Sequence, residues 1–386
     1  MKYIDLFCGI GGFHQVFKSL DEKFQCVLAS DIDKKCQQVY KENYNIEVKG
    51  DLKKIENKDI GEVDIICGGF PCQAFSNSGK KKCFQDERGL LFDEIIRIAK
   101  DKKPKFMFLE NVKHILKVSN GEVIEYIKDK IDKTGYHLQY FVISPHQYGV
   151  PQQRERVYFI CIRKDIFQEE VKLQIEEQKE IKFEDYLDKE FDDKYKIEDD
   201  ILKCLQAWEE MIKIFEVGEK ISPTILAHEF YRKYTKEEKE SLPEWKKDYM
   251  KKNQRVYQKY KKHWDKWYKK HEEILNKREV YGKLEWQVGE IKEDDSIFNY
   301  FIQIRQSGIR VKRAKYFPTL VAISQIPIYG KEKRYLTPKE CLRLQSFPDD
   351  LKLLDDRSAY KQLGNSINVG NARNVIQSTL SQYNII

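Results

Sequence analysis

Short apolar segments alternate with segments of helical spacing over the first 165 residues, and this alternation limits the possible folds more than any other feature of the chain. Helices are predicted at 13–20, 34–43 and 91–99, and a further helix at 371–382 near the carboxyl end. Strands are predicted at 2–7, 26–30, 63–67, 106–109, 138–143 and 157–162. Strands that alternate with helices of this length are typical of an α/β fold with a doubly wound sheet.

The composition changes after residue 168, which indicates a second structural unit inserted into the first. Residues 169–200 are acidic and weakly periodic, 201–283 are rich in Lys, Tyr and Trp with helical spacing, and 298–327 are basic and strand-like. The α/β character resumes near Arg334. We therefore predict a first domain at 1–168, an inserted domain at 169–328, and a return to the first domain at 329–386.

The overall composition excludes several classes of protein. Hydrophobic residues make up 41% of the chain, and no apolar run approaches the ~20 residues that span a bilayer. A strand candidate begins at Lys2 with no signal peptide before it, so we expect a cytoplasmic protein without a membrane partner. The nine cysteines are scattered without a CxxC pair, which argues against zinc, and we expect no metal site. The net charge of +7 permits a polyanionic partner.

A glycine-rich loop follows the first predicted strand. The segment DLFCGIGGF (5–13) places glycines at the start of a helix, where the backbone can approach a ligand and the helix terminus favours an anionic group. Asp31 ends the next strand, 20 residues after Gly11, where a carboxylate can hold ribose hydroxyls. The spacing is not GxGxxG, which argues against a dinucleotide. A nucleoside-type cofactor and a tight turn with a helix-capping aspartate both fit this segment.

Three further segments carry residues suited to catalysis. Cys72 lies in GGFPCQAFS (68–76), a turn at the end of the third strand, where open α/β sheets bind ligands. Glu110 follows the fourth strand in ENV, and QQRER (152–156) brings Arg154 and Arg156 to one face before the last strand. A buried structural cysteine, a helix cap and an exposed edge strand are the alternatives for these three segments.

Taken together, six segments resemble the ordered motifs of the DNA cytosine-C5 methyltransferase family, prokaryotic restriction-modification type. The resemblance covers about 2–165 and 328–375, and the insert lies where that family carries its target-recognition domain. It implies a Rossmann-like, S-adenosylmethionine-dependent α/β sheet with an inserted mixed recognition domain. The motifs are DLFCGIGGF, GGFPCQAFS, ENV, PQQRERVYFI, RYLTPKECLRLQSFP and QLGNSINVGNA.

The resemblance implies a catalytic role for five residues. Cys72 matches the nucleophile that attacks C6 of cytosine, because C5 alone is a poor nucleophile. Glu110 matches the glutamate that holds N3 and the exocyclic amine, and burial would raise its pKa so that it can supply a proton. Arg156 matches the arginine near the base O2, with Arg154 and Gln152 in support.

The resemblance also implies which residues hold S-adenosyl-L-methionine. Asp31 matches the ribose ligand, Ile32 the apolar residue on adenine, and Asp51 the carboxylate that meets the adenine amine. Asn365 comes from the last motif, so the last helix is expected to fold back onto the first sheet. The complete set is Phe7, Gly9, Gly11, Asp31, Ile32, Asp51, Leu52, Pro71, Leu91, Asn365 and Ile367.

Double-stranded DNA is the partner that the resemblance implies. Residues 74–89 resemble a loop that closes over a flipped base, with phosphate contacts expected from Ser76, Ser78 and Lys80–Lys82, and Gln73 is expected to bind DNA as well. In the insert, sequence is expected to be recognised by Arg305, Arg310, Lys312, Arg313, Thr319 and Leu320. The run 246–270 has eleven Lys or Arg, and it fits a solvated helix or a DNA contact.

The biological setting follows by analogy with the family. We expect a monomer that protects host DNA, with a possible cognate restriction endonuclease that forms no stable complex with it. A tRNA cytosine-C5 methyltransferase is one alternative, although that branch has a smaller insert. An inactive DNA-binding homologue is the other, and it would predict loss of the catalytic motifs, which are intact here.

Overall fold

A computed structural model describes residues 1–71, 90–174, 182–221, 224–228, 230–231, 234–313, 315–323 and 325–386. The chain forms two compact units: Met1–Tyr186 with Pro338–Ile386, and Leu187–Thr337. The predicted domain limits at 168 and 328 differ from these two junctions, which follow Tyr186 and Thr337. At the first junction, residues 169–174 remain with the first unit because they contact its carboxyl-terminal segment, for example through a bond from Gln174 N to Ser378 Oγ at 3.0 Å. As the limits of the functional domains, residues 168 and 328 stay a prediction.

The first unit is built on a seven-stranded sheet in the order β3-β2-β1-β4-β5-β7-β6. The five strands from β3 to β5 are parallel, and β7 runs antiparallel to both β5 and β6. This arrangement confirms the predicted α/β sheet. The strands are Lys2–Leu6 (β1), Gln25–Ser30 (β2), Val48–Lys49 (β3), Ile65–Gly69 (β4), Phe106–Val112 (β5), Tyr136–Ile143 (β6) and Arg156–Arg163 (β7).

Helices cover both faces of this sheet. Successive side chains of a strand point to opposite faces, so they pack against different helices. Tyr3 of β1 stacks on Phe17, with ring centroids 4.3 Å apart, whereas its neighbour Ile4 packs in a core with Ile95 and Ile127. The helices are Gly12–Leu20 (α1), Lys34–Tyr44 (α2), Leu90–Lys102 (α3), Glu122–Lys133 (α4), Pro338–Leu344 (α8), Asp356–Asn365 (α9) and Val369–Gln382 (α10).

The strand order places a crevice at the carboxyl end of β1. This strand pairs with β2 on one side and with β4 on the other. The sheet therefore extends from β1 first towards β2 and β3 and then, in the opposite direction, towards β4 and β5. Open α/β sheets bind ligands at the point where the strand order reverses in this way. Helix α10 packs against α1, which follows β1 directly. The carboxyl-terminal segment therefore returns to the first sheet, as expected.

The second unit contains a six-stranded sheet in the order β13-β12-β10-β11-β9-β8. All its pairs are antiparallel except β9 with β11. Its strands are Thr224–Leu226 (β8), Lys283–Gln287 (β9), Phe301–Arg305 (β10), Gly308–Lys312 (β11), Ile328–Tyr329 (β12) and Arg334–Tyr335 (β13). Its helices are Asp199–Ile212 (α5), Lys236–Ser241 (α6) and Glu244–Lys277 (α7).

Tryptophans fill the core of the second unit. Trp264 and Trp267 of α7 are buried, and Trp267 Nε1 donates to the carbonyl of Ala207 at 2.6 Å. Trp208 of α5 is also fully buried and packs on Trp267, with ring centroids 5.1 Å apart. The 34-residue α7 is bent at Tyr260, whose φ of −112° and ψ of 17° depart from helical values. These aromatic residues of the basic run therefore build the core.

Among the described residues, no helix combines the length and the apolar character that crossing a membrane requires. The same part of the chain holds no group of three or more His, Cys, Asp or Glu side chains placed to bind a metal ion.

Candidate active site

A cavity of about 490 Å³ opens at the carboxyl ends of β1, β2, β4 and β5. It is lined by the glycine loop, by the ends of these strands and by the segment between α9 and α10. Ten of the eleven predicted cofactor residues line it: Phe7, Gly9, Asp31, Ile32, Asp51, Leu52, Pro71, Leu91, Asn365 and Ile367. Among the predicted catalytic residues, Glu110, Arg154 and Arg156 line it as well.

One carboxylate organises the glycine loop. Asp31 Oδ2 accepts a bond from Gly9 N at 2.8 Å, and its Oδ1 accepts one from Asp33 N at 2.8 Å. Burial raises the pKa of Asp31, and these backbone bonds oppose the increase. Helix α2 is capped by Asp33, two residues later, which accepts from Lys35 N. The helix-cap alternative for Asp31 is therefore wrong, and its carboxylate faces the cavity.

Two apolar side chains and a carboxylate complete this side of the cavity. Phe7 has a φ of +54°, a left-handed conformation that is unusual for a bulky residue and typical of strained functional positions. Ile32 is 76% exposed, which leaves a large apolar surface for a ligand to cover. Asp51 caps a short turn by accepting from Lys53 N at 3.0 Å, and this bond fixes its carboxyl group at the cavity edge.

Gly11 does not line the cavity, in contrast to the other predicted cofactor residues. It caps α1 with a φ of +88°, and a Cβ atom there would lie 2.8 Å from the Tyr44 hydroxyl. Gly12 lines the cavity instead, where a Cβ would lie 2.5 Å from Ile367 Cγ1. The need for glycine at position 11 is therefore explained by packing, and its contact with a cofactor stays a prediction.

Glu110 and Arg156 form an ion pair in the cavity wall. Arg156 Nε lies 3.2 Å from Glu110 Oε1, and both side chains are largely buried. Burial raises the pKa of Glu110, while Arg156 and Arg154 oppose that increase. Strands β5 and β7 hold the pair, since Val112 is paired with Arg156 and Glu110 with Tyr158. A carboxyl group in this setting can hold a proton and donate it.

Arg154 fastens the carboxyl-terminal segment to the cavity. Its Nη2 donates to the carbonyl oxygens of Gly364 and Ser366, at 2.9 and 2.8 Å, and the guanidinium is fully buried. Burial lowers the pKa of this guanidinium. Asn365 and Ile367 alternate with the two anchored residues and line the cavity. Arg154 therefore positions two predicted cofactor residues.

The turn before Cys72 is held by an amide. Asn111 Nδ2 donates to the carbonyl of Phe70 at 2.9 Å, and both residues are buried. Pro71 lines the cavity. Cys72 itself lies outside the described residues, as do Gln73, Ser76, Ser78 and Lys80. Their predicted roles stay predictions.

Gln152, in contrast to Arg154 and Arg156, does not line the cavity. It is fully buried, and its side-chain amide has no hydrogen-bond partner among the described residues. Its backbone contacts Val150 and His146, at 2.7 and 3.2 Å.

The residues predicted to recognise sequence lie on β10, on β11 and in the loop that follows β11, and several of them bond to other residues of the second unit. Arg310 donates twice to Glu285, at 2.8 Å each, and Arg305 Nη1 lies 3.9 Å from the same carboxylate. Arg313 donates to the Val288 carbonyl. Lys312 and Thr319 are half-buried, and Leu320 is buried.

Fourteen of the described residues that line the cavity were not predicted as site residues, among them Gly12, Ser30, Asn111 and Gln362. Gly12 and Asn111 lie inside segments already recognised as motifs, and Ser30 ends the strand before Asp31. Gln362 is buried in the cavity wall, and the only signal for it is its place in QLGNSINVGNA.

Sequence comparison gives a consistent picture. The family profile "C-5 cytosine-specific DNA methylase" matches residues 1–381. The Type II methyltransferase M.BanI of Aneurinibacillus aneurinilyticus is 30% identical, in an alignment that covers 100% of this chain and 96% of that protein. M.HhaI of Haemophilus parahaemolyticus is 43% identical over 166 residues, so the aligned part spans 43% of this chain and 50% of that relative.

Solved structures share the fold. An Entamoeba histolytica methyltransferase, EhMeth, superposes with a TM-score of 0.59 at 20% identity, covering 99% of this chain and 98% of that one. The S. pombe Dnmt2 methyltransferase gives a TM-score of 0.59 at 18% identity, covering 100% and 99%. At these identities the likeness shows the fold alone.

Proposed function

This chain belongs to the C-5 cytosine-specific DNA methylase family, and on that premise we propose that it methylates C5 of a cytosine rotated out of duplex DNA, with Cys72 as the nucleophile. The chain is accordingly a DNA cytosine-5-methyltransferase. One observation carries the finer proposal: a single cavity joins the buried Glu110–Arg156 pair to the Asp31–Gly9 turn.

The cavity suits S-adenosylmethionine as methyl donor. Asp31 offers a carboxylate for ribose hydroxyls, exposed Ile32 an apolar surface for adenine, and Asp51 an acceptor for the adenine amine. Gly12 and Gly9 keep their part of the wall free of side chains. When bound, the sulfonium group supplies an electrophilic methyl.

The chain itself must activate the base. C5 of cytosine is a weak nucleophile, so we propose that the Cys72 thiolate adds to C6 and moves electron density to C5. After C5 has gained the methyl group, loss of the C5 proton and elimination of the thiolate restore the aromatic ring. This returns Cys72 to its starting state and leaves 5-methylcytosine.

Glu110 assists that addition by acting on N3. A protonated carboxyl donates to N3, so that the charge which develops on the ring when sulfur adds is neutralised. The raised pKa of Glu110 supports this role, because burial favours the proton-bound form. Arg156, 3.2 Å away, orients the carboxyl and faces the same cavity.

The base must leave the duplex for this chemistry, since C5 and C6 are covered by stacking in a helix. We propose that the segment 73–80 contacts the DNA around the flipped base and that β10, β11 and the following loop recognise a short sequence. Arg310 is a weak candidate for base contacts among these residues, because its guanidinium is held by two bonds to Glu285.

The biological role proposed is protection of host DNA in a restriction-modification system. Support comes from M.BanI and M.HhaI, which are both named Type II methyltransferases. The proposal includes a monomer that acts in the cytoplasm beside a restriction endonuclease, without a stable complex between the two.

Mapping of 5-methylcytosine tests the proposal. Unmodified genomic DNA is incubated with the purified protein and S-adenosylmethionine, and methylated positions are determined at base resolution. We expect methylation within one short sequence. If tRNA were labelled in a parallel reaction and DNA were not, the protein would be an RNA methyltransferase instead. Absence of methylation in both reactions would favour an inactive homologue.

A further inference from the structure

The long helix α7 of the second unit carries exposed basic side chains on the face opposite its core contacts. At about 100° per residue, positions 251, 255, 258, 262, 266 and 269 fall within a sector of about 80°. All six side chains are exposed. The buried side of the helix is formed by Asn253, Val256, Tyr260, Trp264 and Trp267, roughly half a turn away. We call this outer face the basic stripe: Lys251, Arg255, Gln258, Lys262, Lys266 and Lys269.

Ion pairing distinguishes the last three lysines of the stripe from three lysines on the flanks of the helix. On the flanks, Lys247 pairs with Glu244 at 2.8 Å, and Lys261 with Asp265 at 2.6 Å. Lys270 likewise pairs with two oxygens of Glu210, at 2.8 and 2.9 Å.

On the stripe, Lys262, Lys266 and Lys269 have no carboxylate within 4.0 Å among the described residues, whereas Arg255 reaches Glu219 at 2.9 Å. Lys251 has Glu244 only within longer electrostatic range. Three consecutive cations therefore stand without an acidic partner in the described part of the chain.

This arrangement has an energetic cost that solubility does not explain. Like charges at i,i+3 and i,i+4, as in Lys262–Lys266–Lys269, destabilise a helix by roughly 0.2–0.5 kcal/mol per pair. A surface that serves solubility alone mixes both signs of charge. A polyanion with regularly spaced charges would offset this repulsion.

We propose that the basic stripe binds the phosphate backbone of duplex DNA. This inference rests on the proposed function, which brings duplex DNA to this protein. From 251 to 269 the helix rises at most about 27 Å, at 1.5 Å per residue, and this equals roughly eight base pairs of axial length. Lysine contacts to phosphate carry no sequence information, so the stripe strengthens binding to every duplex alike.

The test compares two triple variants with equal loss of charge. K262Q/K266Q/K269Q, called the stripe variant, removes the three lysines of the stripe that have no acidic partner, and K247Q/K261Q/K270Q removes three paired lysines from the same helix. Dissociation constants for a 30-base-pair duplex with the mapped target, and for a scrambled duplex, are measured between 50 and 200 mM salt. Thermal unfolding verifies that each variant is folded.

We expect the slope of log Kd against log salt to fall by about 2 to 3 in the stripe variant, since each lost phosphate contact removes ~0.9. The effect should be equal for target and scrambled duplexes. The control should keep the wild-type slope, and K262R/K266R/K269R should restore it. Methylation by the stripe variant at saturating DNA and low salt should match the wild type.

Two outcomes would overturn the inference while leaving the proposed function intact: equal slopes for stripe variant and wild type, or an equal fall in both triple variants, which would indicate net charge rather than a surface. If tRNA competed for binding to the stripe more strongly than duplex DNA did, the choice of duplex DNA as the partner would be wrong. If the wild-type protein itself did not methylate DNA, the proposed function would be contradicted instead.

Discussion

Arg156 Nε lies 3.2 Å from Glu110 Oε1, so a guanidinium and a carboxyl group from neighbouring antiparallel strands share one wall of the cavity. Burial and the two arginines act on the pKa of Glu110 in opposite directions, and burial has the larger effect. The proton that the mechanism assigns to Glu110 is therefore retained to higher pH than in a solvated glutamate.

Replacement of Glu110 by Gln tests this relationship. We expect the methylation rate at saturating substrates to fall by about 10²–10⁴, because proton donation to N3 is lost. The wild-type rate should decline as pH rises through the raised pKa of Glu110, and E110Q should show no such decline. Single-turnover rates from pH 5 to 9 measure both. E155Q is the control, since Glu155 is exposed and pairs with Lys113; an E110Q rate within threefold of the wild type would contradict the role.

Substitutions in the glycine loop should separate ligand binding from folding. G9A places a methyl group on a cavity-lining residue, where no atom lies within 4 Å of the new carbon. The free energy of unfolding should fall by about 1–2 kcal/mol because of the positive φ, and S-adenosylmethionine should bind more weakly. G11A adds a clash with Tyr44 and should lower the free energy of unfolding further. Urea unfolding and calorimetric titration measure the two effects, with G61A as control. The reverse ranking in unfolding would be inconsistent with this geometry.

Arg154 should contribute to stability through the carbonyls of Gly364 and Ser366. R154M removes the donor of the Gly364 carbonyl and leaves the Ser366 carbonyl with only a 3.4 Å bond from Gln345 Nε2. At roughly 1–3 kcal/mol for each lost bond, we expect an unfolding free energy lower by about 2–5 kcal/mol. Affinity for S-adenosylmethionine should fall too, because Asn365 and Ile367 lose their anchor. R163M removes a half-buried guanidinium that pairs with exposed Asp165 and donates to one carbonyl, that of Lys103, and it should lower stability less than R154M does. Equal effects of the two substitutions would refute the anchoring role.

Asp5 in the first strand should make stability depend on pH. It is fully buried, Tyr40 donates to its Oδ2 at 3.3 Å, and burial raises its pKa well above the ordinary value. The folded state then binds the proton more tightly than the unfolded state, so this contribution is complete below about pH 3.9 and is lost as pH rises through the raised pKa. The stability of D5N relative to the wild type should increase from pH 5 to 8, as measured by urea unfolding. A pH-independent difference between D5N and the wild type would count against it.

The sequence predicted the first unit well because its signals are local. Strand ends, glycines and the carboxylates that follow them all lie within short segments, so Asp31, Glu110 and Arg156 could be assigned to one edge of a sheet. Which glycine faces the ligand could not be predicted, because that depends on Tyr44 and Ile367, which approach from distant parts of the chain.

The second unit was less accessible to prediction, since its pairings are non-local. Arg310 was expected to be available for DNA, but the parallel pairing of β11 with β9 places it opposite Glu285, 25 residues earlier. Trp264 and Trp267 lie in a basic run, and sequence alone could not separate aromatic residues that fill a core from those that contact a partner.

Covalent trapping tests the central claim most directly. A duplex with 5-fluorocytosine at the mapped target is incubated with the protein and S-adenosylmethionine, and denaturing gels detect a protein–DNA adduct. Since fluorine at C5 cannot leave as a cation, we expect the wild type and C83A to be trapped, and C72A to bind the duplex without forming an adduct. An adduct formed by C72A, or no adduct with the wild type at a verified target, would contradict nucleophilic attack by Cys72.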